Sequence, residues 1–476
     1  MSRQAELDQA AHERRDQLVS ALIDWVRIPS ISGVPAHAPD VRRSAEHLRD
    51  RARGAGMTRA EIWETAGHPA VFAERIEDPQ LPTVLVYGHH DVQPVDPLAE
   101  WRSPPFEPVV SGGELRGRGV SDDKQHLLMH LEAVATLLQV EGRLPINLKL
   151  IAEGEEESGS PHFEELVRAH REALAADVVV ISDTGMLGPE EPALTIGLRG
   201  LAYWEVRVVG PAADLHSGIF GGAVANPITV LCALLAGLHD PQGGVAVPGF
   251  YDAVRPLRAA ERAAMAAIPF DLAGFQAAAG VPALTGEAGW STVERRSVRP
   301  TLDPCGIWGG YQGAGPKTII PARASAKLSA RLVPDQDPAA ITDLVREHLL
   351  RAAPPGVVVE VEALQHGAWV LTDPDHPAVR AAAQAVAEVW GKPPALIREG
   401  GSIPPVATLA AELGAPCVLF GVILPDDRIH APNERLVLEQ LFRGVRATTR
   451  IWHRYGALGR AGLSAPAVSP VPAPPR

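Results

Sequence analysis

Residues 83–94, with the sequence TVLVYGHHDVQP, join a short apolar run to two histidines and an aspartate. The run at 83–87 has the length and apolar character of a buried strand. In open parallel sheets, ligands bind beyond the carboxyl ends of the strands, and His89 and Asp91 fall at such a position. The stretch therefore predicts a buried strand with a functional site at its end.

Strand and helix patterns alternate on both sides of this stretch. A helical spacing of apolar residues covers about 6–26, and later segments alternate between helix and strand. They are 125–138 (helix), 146–152 (strand), 162–174 (helix) and 176–181 (strand). Alternation of this kind predicts an α/β fold in which helices flank a mainly parallel central sheet.

The pattern changes after Asp183, where residues 194–210 (LTIGLRGLAYWEVRVVG) indicate paired strands. Similar strand patterns return at 324–334 and 356–364, with alanine-rich helical segments between them. We therefore predict an α+β domain inserted into the first domain, and a flexible tail rich in Ala and Pro. The predicted boundaries are 1–197 (first domain, first part), 198–368 (inserted domain), 369–456 (first domain, second part) and 457–476 (tail).

The composition fits a globular enzyme of two or three domains, with 476 residues, 46% of them hydrophobic and 21% charged. A formal net charge of -13 disfavours non-specific binding to nucleic acid or anionic lipid. The sequence shows neither a signal-peptide pattern nor a run of about 18 apolar residues. We therefore predict a cytoplasmic protein without nucleic-acid or membrane partners.

The three cysteines, Cys232, Cys305 and Cys417, are isolated in the sequence and form no C-x-x-C pair. A thiolate zinc site and a disulfide framework are therefore both disfavoured. A metal ion in this protein would need nitrogen and oxygen ligands, which histidines and carboxylates supply.

Acidic or histidine clusters follow the predicted strands. They are His89 with Asp91, Asp122 with Asp123, Glu155 with Glu156 and Glu157, Asp183, and His430. Each cluster has an ordinary alternative explanation: the pair at 122–123 fits a helix N-cap, and the glutamates at 155–157 fit a solvated turn. Together the clusters predict a metal site at the carboxyl edge of the sheet. In this interpretation the Asp91 carboxylate orients the imidazole of His89.

The order of the motifs indicates a family resemblance. The motifs are GHHDVQP (88–94), GRGVSDDK (117–124), EGEEESGS (153–160), ISDTG (181–185), DLHSGIFGG (214–222), KTIIP (317–321), ARLVP (330–334), REGGSIP (398–404) and RIHAPNE (428–434). From about Ile28 to Arg435 the chain resembles the M20 metallopeptidases, and within them the carnosinase-like dipeptidases. The resemblance implies a zinc-peptidase-like α/β catalytic domain with two divalent cations, and an inserted α+β lid domain that also forms a homodimer.

The resemblance also implies the metal ligands. His89 and Asp183 would bind one cation, Glu157 and His430 would bind the other, and Asp122 would bridge the two. Zinc is the expected metal, although this set of nitrogen and oxygen ligands also suits cobalt or manganese. The charge of two divalent cations exceeds that of the three carboxylates by one unit, which would favour ionisation of a shared water molecule.

Further roles follow from the same resemblance. Glu156, selected by the E-E-x-G-S spacing, would be the general base, and the peptide bond between Asp122 and Asp123 would be cis. In the lid, His216 would reach the active site of the partner subunit and stabilise an oxyanion. The substrate-binding residues would be Thr318, Arg331 and Ser402, and Arg331 could hold a terminal carboxylate through paired N–H donors.

These residues predict a dipeptidase that hydrolyses short peptides with a free C-terminal carboxylate by means of metal-activated water. An N-acyl amino acid deacylase or a carboxypeptidase-like amidase is the alternative within the same chemistry, because the metal centre does not select the acyl side. A non-catalytic metal-binding scaffold is the alternative from another class. The presence of Glu156 argues against the scaffold, since metal binding alone needs no general base.

Overall fold

The structure is a computed structural model that describes residues 2–463, and the chain forms two compact units within that range. The first unit comprises 2–196, 372–397 and 404–463. The second unit comprises Gly197–Leu371 and Arg398–Ile403. Among the helices of the described residues, none combines the length and apolar character needed to cross a membrane.

The strands are β1 (Arg59–Trp63), β2 (Ala70–Arg75), β3 (Thr83–His89), β4 (Val109–Ser111), β5 (Glu114–Arg116), β6 (Asn147–Glu153), β7 (Val178–Ile181), β8 (Ala193–Leu198), β9 (Gly200–Val209), β10 (Leu215–His216), β11 (Thr301–Gly309), β12 (Ile319–Ile320), β13 (Arg323–Leu332), β14 (Val358–Gly367), β15 (Val370–Leu371), β16 (Ala395–Glu399), β17 (Cys417–Leu419) and β18 (Arg435–Val437).

The helices are α1 (Arg3–Glu13), α2 (Arg15–Val26), α3 (Ala38–Ala55), α4 (Lys124–Glu141), α5 (Phe163–Ala169), α6 (Arg171–Leu174), α7 (Ser217–Phe220), α8 (Pro227–Ala236), α9 (Ala259–Ala266), α10 (Leu272–Ala279), α11 (Thr292–Ser297), α12 (Pro338–Ala352), α13 (Pro377–Trp390), α14 (Pro404–Leu413) and α15 (Leu438–Leu463). The single helices predicted at 6–26 and 162–174 are each two helices, which meet at Arg14 and His170.

The sheet of the first unit has the strand order β1-β2-β6-β3-β7-β17-β8. The neighbours β6, β3, β7 and β17 are parallel, whereas β1, β2 and β8 pair antiparallel with their neighbours. The predicted mainly parallel sheet is therefore a mixed sheet with a parallel centre. The reason is connectivity: helices join the central strands, whereas β1 and β2 are joined by a short turn that allows only antiparallel pairing.

Helix α4 is buried along most of its length and packs against β3 and against α1, α2, α3 and α15. Its apolar residues, among them Leu127, Met129 and Val134, belong to the main hydrophobic core together with Val84 and Val86 of β3. The start of α4 is thereby fixed relative to the end of β3. This packing positions the loop that precedes α4, which carries Asp122.

The second unit contains a four-stranded antiparallel sheet in the order β11-β13-β9-β14. Along β9, alternate residues are buried, as expected for a strand with one face on a core. Helix α8 packs on β9 and β13, and helix α12 packs on β9 and β14. The prediction that 194–210 forms two paired strands is wrong: β8 and β9 are both strands, but they lie in separate sheets.

Two boundaries differ from the sequence prediction. The segment Arg398–Ile403, expected in the first domain, groups with the second unit because Arg199 and Arg331 are hydrogen bonded to it. Helical structure continues to Leu463, past the expected start of the tail at 457, with a kink at Gly459, and Leu463 is buried. The remainder of the predicted tail, 464–476, lies outside the described residues.

Candidate metal centre

Four of the five candidate ligands lie at or beyond the carboxyl ends of the central strands. His89 ends β3, Glu157 follows β6 in a short turn, and Asp183 follows β7. Asp122 directly precedes α4, and His430 lies in the long loop after β17. Because β6, β3, β7 and β17 are parallel neighbours, the loops that follow them emerge at one edge of the sheet.

The five predicted ligands meet in two groups. In the first group, His89 Nε2 lies 3.0 Å from Asp122 Oδ1 and 4.0 Å from Asp183 Oδ2. In the second group, His430 Nε2 lies 2.9 Å from Asp122 Oδ2 and 3.2 Å from Glu157 Oε2. Asp122 belongs to both groups and presents a different oxygen to each.

The side chains of this site fit a pair of cations. In each group, one ligand atom from every residue lies within 4.8 Å of the others, which suits coordination of a single ion. The donors are imidazole nitrogens and carboxylate oxygens, the ligand types that zinc and similar divalent metals accept. Three carboxylates also converge on the site, and such buried acids need a compensating positive charge. Asp122 is placed as a bridging ligand would be.

Asp91 contacts two of the candidate ligands, His89 and Glu157. Its carbonyl oxygen lies 3.2 Å and its Oδ1 lies 3.4 Å from His89 Nδ1, which leaves His89 Nε2 directed toward Asp122. Asp91 Oδ2 accepts a hydrogen bond of 3.1 Å from the backbone N–H of Glu157. Burial alone would lower the pKa of His89, but the hydrogen bonds with Asp122 and Asp91 hold that pKa well above its ordinary value.

Glu156 lies beside the two groups and belongs to neither. Burial raises the pKa of Glu156 to about 7; the His89 charge opposes this shift, and the carboxylates of Glu157 and Asp122 reinforce it. Burial also raises the pKa of Asp183, and the charge of Asp122 raises it further. The pKa of Asp122 is lowered instead: burial opposes this shift, and the hydrogen bonds with His430 and His89 outweigh it. A carboxyl group such as Glu156 can accept and return a proton near neutral pH.

The two aspartates at 122–123 have different roles: Asp122 belongs to the ligand groups, whereas Asp123 holds neighbouring elements together. The peptide bond between the two residues is cis, as the resemblance implied. Asp123 occupies the N-cap position of α4, but its carboxylate does not cap the helix. Asp123 Oδ2 instead accepts from the backbone N–H of His89 at 3.2 Å, and Oδ1 lies 2.6 Å from His126 Nδ1. The side chain thus ties the end of β3 to the start of α4.

Two further residues organise the site and were not singled out from the sequence. The fully buried carboxylate of Glu434 accepts backbone N–H bonds from Gly119, Ser121 and Asp122 at 2.9, 2.9 and 3.1 Å. Gln93 Nε2 donates to Glu157 Oε2 at 2.7 Å. Their only signal in the sequence is that they lie inside the motifs RIHAPNE and GHHDVQP.

The predicted oxyanion-stabilising residue His216 and the predicted substrate-binding residues Thr318, Arg331 and Ser402 lie in the second unit, in two places. His216 and Thr318 are both exposed and adjoin the short pair of strands β10 and β12, where the N–H of Ser217 donates to the carbonyl of Thr318 at 3.1 Å. His216 Nδ1 accepts from the N–H of Gly218 at 3.0 Å. Arg331 Nη1 donates to Ser402 Oγ at 2.9 Å, and both residues are partly buried.

A sheet with a parallel centre whose strand ends carry two linked groups of candidate metal ligands is typical of metal-dependent hydrolases. Residues 85–454 match the model of peptidase family M20/M25/M40. The chain therefore belongs to peptidase family M20/M25/M40. The predicted resemblance to the M20 metallopeptidases is confirmed.

Individual proteins are similar to this chain over nearly its whole length. The Cys-Gly metallodipeptidase DUG1 of Candida albicans is 35% identical over 463 residues, which cover 93% of this chain and 96% of the relative. The crystal structure of human carnosine dipeptidase 1 has a TM-score of 0.81 and 30% identity, with 96% and 100% of the two chains covered. The M20 metallo-carboxypeptidase Sso-CP2 from Sulfolobus solfataricus has a TM-score of 0.81 and 32% identity, with 93% and 99% covered. The predicted fold class is thereby confirmed.

Proposed function

We propose that this protein is a metal-dependent dipeptidase that hydrolyses short peptides with a free C-terminal carboxylate. The observation that carries the proposal is the position of Asp122, whose two oxygens face separate groups of ligand atoms. Membership of the M20/M25/M40 family and the similarity to a metallodipeptidase and a carnosine dipeptidase support the substrate class.

We assign the metal ligands as the resemblance implied. His89 and Asp183 would hold one cation, Glu157 and His430 the other, and Asp122 both. When bound, two divalent cations supply Lewis acidity toward a peptide carbonyl and favour the ionisation of water near neutral pH. We propose zinc as the natural metal, since two imidazoles and three carboxylates suit it; cobalt and manganese are the alternatives for metal analysis to distinguish.

We propose that Glu156 moves the proton in the reaction. It lies next to both ligand groups without belonging to either, so its carboxylate is available to accept a proton from the attacking water and to donate it to the departing amine. Asp91 acts on the ligands rather than on the substrate: it orients His89 and holds the turn that presents Glu157. Glu434 and Gln93 fix Asp122 and Glu157 in the same way.

Substrate handling is proposed for the second unit. The guanidinium of Arg331, paired with the hydroxyl of Ser402, would bind the C-terminal carboxylate of the peptide. His216 and Thr318, both exposed beside the short strand pair β10 and β12, would complete the active site of a partner subunit, with His216 stabilising the oxyanion. This assignment requires a homodimer formed through the second unit.

The cytoplasmic location predicted from the sequence also remains a proposal. All three cysteines are free, and Cys232 and Cys305 are exposed. Free exposed thiols are compatible with a reducing compartment.

The function is tested by assaying the purified protein, with and without added zinc, on a panel of dipeptides and of N-acetyl amino acids. We expect hydrolysis of dipeptides, loss of activity after treatment with a strong chelator, and recovery on adding metal. Cleavage of N-acetyl amino acids in preference to dipeptides would replace the dipeptidase by the deacylase alternative. Full activity in the presence of chelator would contradict metal-dependent hydrolysis.

A carboxypeptidase is the second candidate, and the similarity to Sso-CP2 over 93% of the chain is the observation that favours it. Both enzymes would bind a C-terminal carboxylate, so the difference lies on the amino side of the scissile bond. A dipeptidase should lose activity when the peptide is lengthened or blocked at its amino end. Efficient release of the last residue from N-blocked or longer peptides would indicate a carboxypeptidase.

A further inference from the structure

Arg199 occupies the corner between β8 and β9 and is almost fully buried in the second unit. Its side chain donates to three backbone carbonyls: Nε to Gly400 at 3.0 Å, and Nη1 to Arg299 at 3.2 Å and to Arg295 at 3.5 Å. The carbonyls of Arg295 and Arg299 lie at and just beyond the C-terminal turn of α11, where a cation is favourable. Arg199 thus fastens the segment at 400–402 to the end of α11.

The same residue orients the hydroxyl of Ser402. Ser402 Oγ donates to the backbone carbonyl of Arg199 and accepts from Arg331 Nη1 at 2.9 Å. Because a hydroxyl has one hydrogen, donation to Arg199 leaves the lone pairs of Ser402 for Arg331. The side chain of Arg199 therefore fixes the position of Ser402, and its backbone carbonyl fixes the direction of the Ser402 hydroxyl, which accepts from Arg331.

The packing around Gly400 shows how closely Arg199 approaches this segment. A Cβ atom at position 400 would lie 2.6 Å from the carbonyl oxygen of Arg296 and 2.8 Å from Arg199 Nη2. No side chain fits there unless the neighbours move. Glycine at this position is therefore required for the contact between Arg199 and the segment.

The two guanidinium groups also concentrate positive charge. Burial lowers the pKa of Arg199 to about 10; the charge of Arg331 adds to this shift, and the carboxylate of Asp303 opposes it. Burial lowers the pKa of Arg331 as well, again opposed by the charge of Asp303. Two partly buried cations that interact repel each other, and a further anion such as a substrate carboxylate relieves the repulsion.

We propose that Arg199 is a positioning residue for substrate recognition, which holds the segment at 400–402 so that Ser402 and Arg331 are ready to bind the terminal carboxylate of the peptide. The inference rests on the proposed function, in which Arg331 and Ser402 bind that carboxylate. Arg199 itself acts through these two residues, since its Nε and Nη1 atoms already donate to backbone carbonyls.

The test compares Arg199→Lys and Arg199→Met with the wild-type enzyme in the metal-loaded form. Both variants lose the forked donor, and only lysine keeps the charge. For a dipeptide, we expect KM to rise by roughly ten- to a hundredfold, the loss associated with bonds to a charged group, while kcat changes little. The inhibition constant of the corresponding dipeptide amide, which lacks the carboxylate, should stay unchanged.

Gly400→Ala and Arg207→Lys are the companion variants. Gly400→Ala keeps the guanidinium but displaces it, so it should show the same selective rise in KM. Arg207 is also a partly buried arginine of the second unit, but its side chain donates to the carboxylates of Glu205 and Glu360, and Arg207→Lys should leave KM unchanged. Melting curves and metal content establish that each variant is folded and loaded.

Three results would overturn the inference. The first is an unchanged KM in both Arg199 variants and in Gly400→Ala. The second is a fall of kcat with no change in KM, and the third is a rise in the inhibition constant of the dipeptide amide as large as the rise in KM. The last two indicate a structural role only. Should an Arg199 variant fail to fold, Gly400→Ala decides alone. If the wild-type enzyme does not hydrolyse dipeptides at all, the proposed function is what has failed.

Discussion

At the scale of single residues, Asp122 has the greatest consequence for the site. It is nearly buried, and its two oxygens lie 3.0 and 2.9 Å from the Nε2 atoms of His89 and His430. The carboxylate of Asp122 converges with those of Glu157 and Asp183, and uncompensated charges of one sign are costly in a protein interior. The energetic cost is removed when cations are bound, which is why the arrangement indicates a metal centre rather than a structural ion-pair network.

The role of Glu156 is tested by Glu156→Gln. The amide has nearly the same shape but cannot accept the proton, so we expect kcat to fall by about a hundredfold or more. Metal content, measured by elemental analysis, should remain that of the wild type, because Glu156 lies outside both ligand groups. Such a result would also exclude a non-catalytic scaffold, which has no activity to lose.

Glu155→Gln is the matched control for this variant. Glu155 is the neighbouring glutamate, and its carboxylate contacts His162 Nδ1 at 2.9 Å instead of the ligand groups. It should retain most of the wild-type kcat. If Glu156→Gln were as active as Glu155→Gln, Glu156 would not be the general base.

At the scale of elements, the site depends on how loops after parallel strands pack on one another. The segment after β17 lies against the segment after β7, with Phe420 N–H donating to the Ile181 carbonyl at 2.8 Å. An added Cβ at Gly421 would collide with the carbonyl oxygens of Ser182 and Thr184. These two residues flank Asp183, so the glycine constrains the position of a proposed metal ligand.

Gly421→Ala should therefore weaken metal binding. The methyl group must push the Ser182–Thr184 backbone away, and displacement of a ligand of this kind costs about ten- to a hundredfold in metal affinity. Competition with a chromogenic chelator measures the change. Gly54→Ala, where nothing lies within 4 Å of the added Cβ, is the control and should bind metal like the wild type. Equal affinities in the two variants would contradict a tight contact at Gly421.

At the scale of the whole molecule, the chain divides the proposed functions between two units. The proposed metal ligands and Glu156 belong to the first unit, whereas His216, Thr318, Arg331 and Ser402 belong to the second. In the proposed homodimer, His216 of one protomer would serve the metal centre of its partner. A monomer would then be inactive even when correctly folded.

This arrangement is tested by mixing two inactive variants, His216→Ala and Glu156→Ala. After subunit exchange, half of the dimers contain one of each, and one of their two sites has both residues intact. Random mixing should therefore restore about a quarter of the wild-type activity in a closed two-fold dimer. Absence of any recovery, when exchange is verified by native mass spectrometry, would show that His216 does not act across subunits.

The sequence alone indicated the strand at 83–87, the helix that became α4, and acidic or histidine clusters at the strand ends, because hydrophobic periodicity and motif spacing are local properties. It did not indicate that β8 and β9 join different sheets, since both show the same strand pattern. The sequence also did not decide whether the aspartates at 122–123 cap helix α4 or belong to the metal site. In the structure, the Asp123 carboxylate contacts the backbone of His89 and the side chain of His126. It neither caps the helix nor belongs to a ligand group.

What the sequence determined by itself was the set of chemical groups and their order along the chain. Only the tertiary structure decided which of them meet. Glu434 accepts from the backbone of Asp122 across 312 residues, and Arg331 reaches Ser402 across 71. Such contacts depend on the path of the entire chain, whereas secondary structure depends on neighbours a few residues away, and this difference in range is the physical reason for the division.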